Sequence, residues 1–132
     1  MNYLLDTHTL IWAITEKQKL SVVVRKVLEN PSNTIFVSSL SFWEISLKFS
    51  LKKLDLQGIL PEDFPDLVSG MSFDTMPLEM NEAATYHQLT TTHHRDPFDR
   101  MLIWQAIQKN LILISKDLNM PPYIQDGLRL LW

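Results

Sequence analysis

Asp6, Glu44, Asp99 and Asp117 lie far apart in a chain of 132 residues, yet each sits at a junction between an apolar segment and its neighbour. Asp6 closes the run Tyr3-Leu4-Leu5, and Asp117 follows Leu111-Ile112-Leu113-Ile114 by two residues. Glu44 falls in the first turn of an apolar-patterned helix that starts near Ser41, and Asp99 in the first turn of one opened by Asp96-Pro97. Carboxylates packed at one place repel one another, and some would take up protons unless the charge is compensated. A divalent cation removes that conflict. An all-oxygen donor set suits Mg2+ or Mn2+ rather than zinc. Ions held this way activate water, neutralise a phosphodiester and steady its leaving oxygen, in favourable cases as a pair roughly 4 Å apart. Phosphodiester hydrolysis is the chemistry such a cluster is suited to.

Each acid also has a structural explanation. Asp6 can cap the helix that follows it, and Glu44 can pair with Lys48 four residues on. Asp96, Pro97 and Asp99 together match a capped helix start, with Asp96 as the cap and a reserve metal ligand. Asp117 can begin the turn before Asn119 and Pro121. Around them, Thr7, Ser38 and Ser115 are placed to orient carboxylates or waters, or to cap strand ends. His8, His93 and His94 are of a type that contacts phosphate or transfers protons, though an acid cluster needs no histidine base. Arg95 and Arg100 flank the third acid and can hold a phosphate or pair with the acids.

The elements that must position these residues alternate in type. Short apolar runs at Tyr3–Leu5, Ile35–Val37, Ser72–Met76 and Leu111–Ile114 read as strands. Between them come helices: Thr7–Ile14; one capped by Ser21 and stopped at Asn30-Pro31; and one from Ser41 with Trp43, Leu47, Leu51 and Leu54 at helical spacing and Phe42, Ile45 and Phe49 widening the buried face. Further helices are expected over Pro61–Val68, from an Asn81 cap to Leu89, and from Pro97 to a stop at Asn110. After Pro121-Pro122, the tail from Leu128 to Trp132 reads as an edge strand. Strands separated by helices imply an α/β fold with a parallel sheet covered on both faces. Ligands of such sheets gather beyond the strands' C-terminal ends, where the strand order reverses. That edge is where all four acids are directed. Trp12, Trp43, Trp104 and the methionines recur at helical spacing and are expected in the core or at a dimer interface.

Composition bounds the reading further. With 45% hydrophobic residues, 132 residues fit one domain spanning 1–132. The absence of cysteine excludes disulfides, thiolate zinc sites and cysteine nucleophiles. The start Met1-Asn2-Tyr3-Leu4-Leu5-Asp6 lacks the pattern of a signal peptide, and no run approaches the roughly 20 apolar residues that cross a bilayer. A cytoplasmic protein without a membrane is expected. The formal charge of −3 gives no general basic surface for nucleic acid. Carboxylates committed to metal would leave the remainder positive, so the balance permits an RNA substrate, held weakly by scattered residues such as Lys48, Lys52, Lys53, Arg95, Arg100 and Lys116.

The chain resembles the PIN-domain nucleases, in particular the VapC-type toxins of bacterial toxin–antitoxin pairs. The resemblance rests on Tyr3-Leu4-Leu5-Asp6-Thr7-His8, Ser38-Ser39-Leu40-Ser41-Phe42-Trp43-Glu44-Ile45, His93-His94-Arg95-Asp96-Pro97-Phe98-Asp99-Arg100 and Leu111 to Asp117, and covers nearly the whole chain. It implies a three-layer α/β/α sandwich, Mg2+- or Mn2+-dependent cleavage of RNA, a homodimer, and neutralisation by a cognate antitoxin. The family's metal-binding acids map onto Asp6, Glu44, Asp99 and Asp117, the last acting directly or through water. Two other classes compete. A haloacid-dehalogenase-type phosphatase also places an aspartate after its first strand but wants another two residues on, where this chain has His8. A receiver-type signalling module needs an aspartate at the end of its middle strand, where Ser38 stands.

Overall fold

The computed structural model describes residues 1–132. The strands are β1 (Asn2–Leu5), β2 (Thr34–Ser38), β3 (Asp74–Met76), β4 (Ile112–Ile114) and β5 (Arg129–Leu131). The helices are α1 (Thr7–Thr15), α2 (Val22–Glu29), α3 (Ser39–Ser50), α4 (Phe64–Gly70), α5 (Met80–Thr85) and α6 (Pro97–Lys109). All strand pairings are parallel, in the order β3-β2-β1-β4-β5. The chain builds outward from β1 on one side and then on the other, so the order reverses between β1 and β4. The expected edge strand in the tail is β5, reached through a 3-10 turn at Pro121–Asp126.

Strand side chains alternate between two cores, as the pleat requires. Tyr3, Leu5, Ile35, Val37 and Ile114 join Leu10, Val24, Ile45, Phe64 and Val68 on the face covered by α1 to α4. Leu4 and Leu113 join Leu102, Ile103, Trp104 and Tyr123 on the face covered by α6. Helices on both faces of a parallel sheet make the three layers expected. Local chemistry marks the ends. Ser21 Oγ accepts the Val24 N–H at 3.0 Å, Asp96 caps α6, and Asn110 adopts the left-handed conformation (φ 55°) that stops it.

Two expectations are corrected. Ile45 is buried as expected, but the stripe Trp43, Leu47 and Leu51 does not face the core: Trp43 is 61% exposed, and the rest of the burial on α3 falls to Leu40, Ser41 and Glu44. α3 also ends at Ser50, short of Leu54, whose side chain packs against the core from the following loop. Asn81 does not cap its helix. α5 begins one residue earlier, the Glu79 N–H donates to Glu82 Oε1 at 2.9 Å, and the helix gives way to a 3-10 turn before Leu89.

A buried polar chain joins the two helices that carry Glu44 and Asp99. Ser38, at the end of β2, caps α3 and donates its hydroxyl to Gln105 Oε1 on α6 (2.7 Å). Gln105 Nε2 donates onward to Glu82 Oε1 (3.0 Å) and to the Pro77 carbonyl (3.3 Å). Gln105 is fully buried, so truncating it orphans several partners and opens a void. Gln105→Ala is expected to lower unfolding free energy by about 3 kcal/mol in urea denaturation. A loss below about 1 kcal/mol would show that the chain does not fasten α3 to α6.

Candidate metal site at the sheet edge

Parallel strands deliver their following residues to a common edge, and β1, β2 and β4 each contribute there. Asp6 leaves β1 and caps α1, its Oδ1 accepting the Thr9 N–H at 2.8 Å. Its carboxyl is 4% exposed. Burial pushes it above the usual carboxylate range, against hydrogen bonds from Ser115 and Thr9. The capping and metal readings of Asp6 are thus compatible: one oxygen serves the helix, and the group remains at the edge.

Glu44 is buried on the inner side of α3 rather than exposed beside Lys48. The Thr7 hydroxyl donates to its Oε1 at 2.6 Å, and Ser41 Oγ lies 3.0 Å from the same hydroxyl. Lys48 Nζ meets Glu44 Oε2 at 2.5 Å and stands 3.8 Å from Asp96 Oδ2. Burial pulls the Lys48 ammonium down, but Glu44, Asp96 and Asp99 more than offset this and hold it above its ordinary value. Lys48 is the internal counter-charge for this end of the cluster.

Asp99, in the first turn of α6, and Asp117, after β4, meet at His94. His94 Nε2 lies 2.7 Å from Asp117 Oδ2 and 3.2 Å from Asp99 Oδ2. One ligand atom from each of the three lies within 4.8 Å of the others, a spacing that fits a single ion. Asp6 and Glu44 are not members of that tight group. They reach it through the electric field: burial first, then the charges of Glu44, Asp96, Asp6 and Asp117, push the Asp99 carboxyl up to about 8. Asp117 goes the other way. Partial burial would raise it, but the Asn119 backbone N–H and the His94 ring hold it below the usual range. An open cleft of about 400 Å³ beside the group is lined by Asp6, Asp117, His8, Trp12 and Lys116.

The remaining residues divide clearly. Asp96 caps α6, its Oδ1 accepting from Phe98 N (2.8 Å) and Asp99 N (3.3 Å). Ser115 touches both Asp6 and the Asp117 N–H (3.1 Å), and Thr7 fixes Glu44, so both orient carboxylates. Ser38 does not; it belongs to the α3 cap and the Gln105 chain. His8, His93 and Arg95 are exposed, whereas His94 is buried. Arg100 is corrected as a phosphate contact. Four of its five N–H donors are spent on the Tyr86 and Tyr123 hydroxyls and the Thr91 and Leu89 carbonyls. It fastens the loop that carries His94. Tyr123 and Ser41 had no signal in the sequence, since a tyrosine after two prolines and a serine inside a helix are ordinary residues there.

The donor set fits a hard divalent cation, because an extra positive charge relieves the crowding that keeps the Asp99 proton bound. That crowding has a measurable sign. The folded-state value of Asp99 stands above its unfolded value, so its contribution to stability is complete below about pH 4 and is lost as pH rises through about 8. In chelator, Tm is expected to fall between pH 6 and pH 8.5. Asp99→Asn should raise Tm at pH 8.5 by about 5 °C and flatten the dependence. Thermal melts of both proteins test this, and a variant as pH-sensitive as the parent would remove Asp99 from the account.

Comparison with known proteins agrees with this geometry. The family model described as PIN domain matches residues 3–122. Ribonuclease VapC22 of Mycobacterium tuberculosis is 25% identical over 114 residues, covering 86% of this chain and 85% of that protein. A chain in the crystal structure of VapBC2 from Rickettsia felis, bound to a DNA fragment from their promoter, superposes with a TM-score of 0.71 at 21% identity, covering 99% of this chain and 98% of that one. One in the DNA-bound VapBC structure from Salmonella typhimurium gives 0.68 at 21% identity, over 99% and 97%. With its five-stranded parallel sheet and acids at the edge where β1 and β4 end, the chain belongs to the PIN domain family.

Proposed function

We propose that this protein is a divalent-metal-dependent endoribonuclease, the toxin of a toxin–antitoxin pair, with Asp6, Glu44, Asp99 and Asp117 as its metal-binding acids. The carrying observation is geometric: Asp99 and Asp117 meet at His94 within 4.8 Å, with Asp6 and Glu44 buried at the same edge, where the strand order reverses. RNA as substrate is supported by the name of the Mycobacterium tuberculosis relative, a ribonuclease. A cognate antitoxin is supported by the VapBC complexes among the similar structures. The oxygen donors favour Mg2+ or Mn2+. Such an ion would supply Lewis acidity at the scissile phosphodiester and a more acidic bound water.

The chain's own groups do the rest. Asp6 and Glu44 hold their carboxylates rigid through Thr9, Thr7 and Lys48, and Asp117 keeps its charge where Asp99 tends to lose it. Exposed Arg95, His8 and Lys116 stand near the acids with donors available for RNA phosphates. A homodimer is supported by an apolar depression of about 330 Å³ on the outer side of α3 and the start of α6, where Trp43 and Phe98 meet edge-on at 5.0 Å. No helix is long and apolar enough to cross a membrane, and the cytoplasm is the proposed setting.

Asp6→Asn and Asp99→Asn should each reduce RNA cleavage at least about 100-fold with folding intact, and chelator should abolish cleavage until Mg2+ or Mn2+ is restored. The readout is fragment formation from total RNA. Undiminished cleavage in the variants or in chelator would sink the mechanism, and release of phosphate from small esters in its place would favour a phosphatase. Trp43→Glu should shift the dimer to monomer in light scattering. An unchanged mass would move the interface elsewhere.

A further inference from the structure

Asp99 and Asp117 lie on different elements, and once both are ionised, as a shared cation needs, they repel one another. Something must hold them together before the cation arrives. The side chain between them is His94, buried and over-determined on every side. Its backbone N–H donates to the Tyr123 hydroxyl at 2.9 Å, and that hydroxyl also accepts from Arg100 at 2.8 Å. Arg100 in turn grips the Leu89 and Thr91 carbonyls, so the loop leading into His94 cannot drift.

The ring's proton is placed by its other contact. The backbone N–H of Asp96 points at His94 Nδ1 across 3.2 Å. A backbone N–H can only donate, so Nδ1 is bare and the ring proton sits on Nε2. That proton is donated to Asp117 Oδ2, 2.7 Å away, and Asp99 Oδ2 lies 3.2 Å from the same nitrogen. A nitrogen carrying a proton cannot bind a metal ion. We propose that His94 is a positioning residue: as the Nε2–H tautomer it donates to Asp117, holds that carboxylate against Asp99, and leaves the other lone pairs of both for the cation.

The chemistry favours a histidine in this role. An ammonium would bring its own charge and compete with the cation, as Lys48 does for Glu44, whereas a neutral imidazole orders two carboxylates without filling their charge deficit. No protein donor is found on Asp99 Oδ1, and Asp117 Oδ1 is held by Asn119, whose N–H it accepts at 2.8 Å. A buried donor that orients the ligands characteristically changes metal affinity about 10- to 100-fold when removed. This inference rests on the reading that Asp99 and Asp117 bind a divalent ion.

The test uses the full chain and two readouts besides cleavage. Ring nitrogen NMR of the wild type, metal-free and with Mg2+, should show His94 protonated at Nε2 and bare at Nδ1 in both. Free Mn2+ counted by electron paramagnetic resonance should give His94→Ala a Kd raised about 10-fold or more, with His94→Gln, whose amide N–H replaces the Nε2 donor, within about threefold of wild type. Loss of the Nε2 proton on adding Mg2+ would make His94 a ligand and overturn the proposal. So would His94→Ala binding Mn2+ like wild type, or His94→Gln no better than His94→Ala. If Asp99→Asn also binds Mn2+ like wild type, the metal reading beneath it has failed, which separates the two failures. Should His94→Ala not fold, the tautomer measurement on the wild type and the His94→Gln affinity still decide.

Discussion

Charge crowding at one edge of the sheet governs this molecule. Five carboxylates, those of Asp6, Glu44, Asp96, Asp99 and Asp117, converge where burial makes ionisation costly, and the chain supplies one ammonium near them, that of Lys48. The conflict falls on Asp99, whose carboxyl rises to about 8, and on Asp6, which burial also pushes up, while the neighbours each have local hydrogen-bond partners. Asp6 and Asp96 are occupied as helix caps, Glu44 by Thr7 and Lys48, and Asp117 by the Asn119 turn and His94. Unmet negative charge gathered at this edge is suited to a divalent cation.

The scaffold makes such crowding tolerable. Parallel strands buried on both faces hold the edge through apolar packing on two sides, so the polar edge need not stabilise itself. α3 and α6 must nevertheless keep register with each other, because one carries Glu44 and the other Asp99. The buried chain Ser38–Gln105–Glu82 is suited to that, since a hydrogen bond fixes direction where apolar contact alone would allow sliding. The same division recurs at the loop before α6, where Arg100 spends its donors inward and leaves Arg95 outside.

Much of this was legible in the sequence because the signals are local. Apolar runs ending in Asp6 and Asp117, the Asp96-Pro97 helix start and the Asn110 stop each describe their own few residues, and each fell within a residue or two of its place. The fold class followed from their alternation. What escaped depended on distant partners. Trp43, Leu47 and Leu51 repeat like a core stripe, but helical spacing does not say which face meets the sheet, and burial went to Leu40, Ser41 and Glu44 beside the expected Ile45. Arg100 stands next to an acid in sequence but points to Tyr86, Tyr123 and two carbonyls. His8, His93 and His94 were equivalent until the backbone N–H of Asp96 and the hydroxyl of Tyr123, 29 residues further on, fixed one of them.

The measurement that reaches the central claim most directly is the number of protons released on titration with Mg2+. If carboxylate crowding is what the cation relieves, Asp99 arrives at pH 7 largely protonated and must give up its proton to bind. Calorimetric titration in two buffers of different ionisation enthalpy should therefore report release of close to one proton per site at pH 7, vanishing toward pH 9.5. Binding with no proton release at pH 7 would mean the acids were already ionised and not in conflict, and would contradict the account.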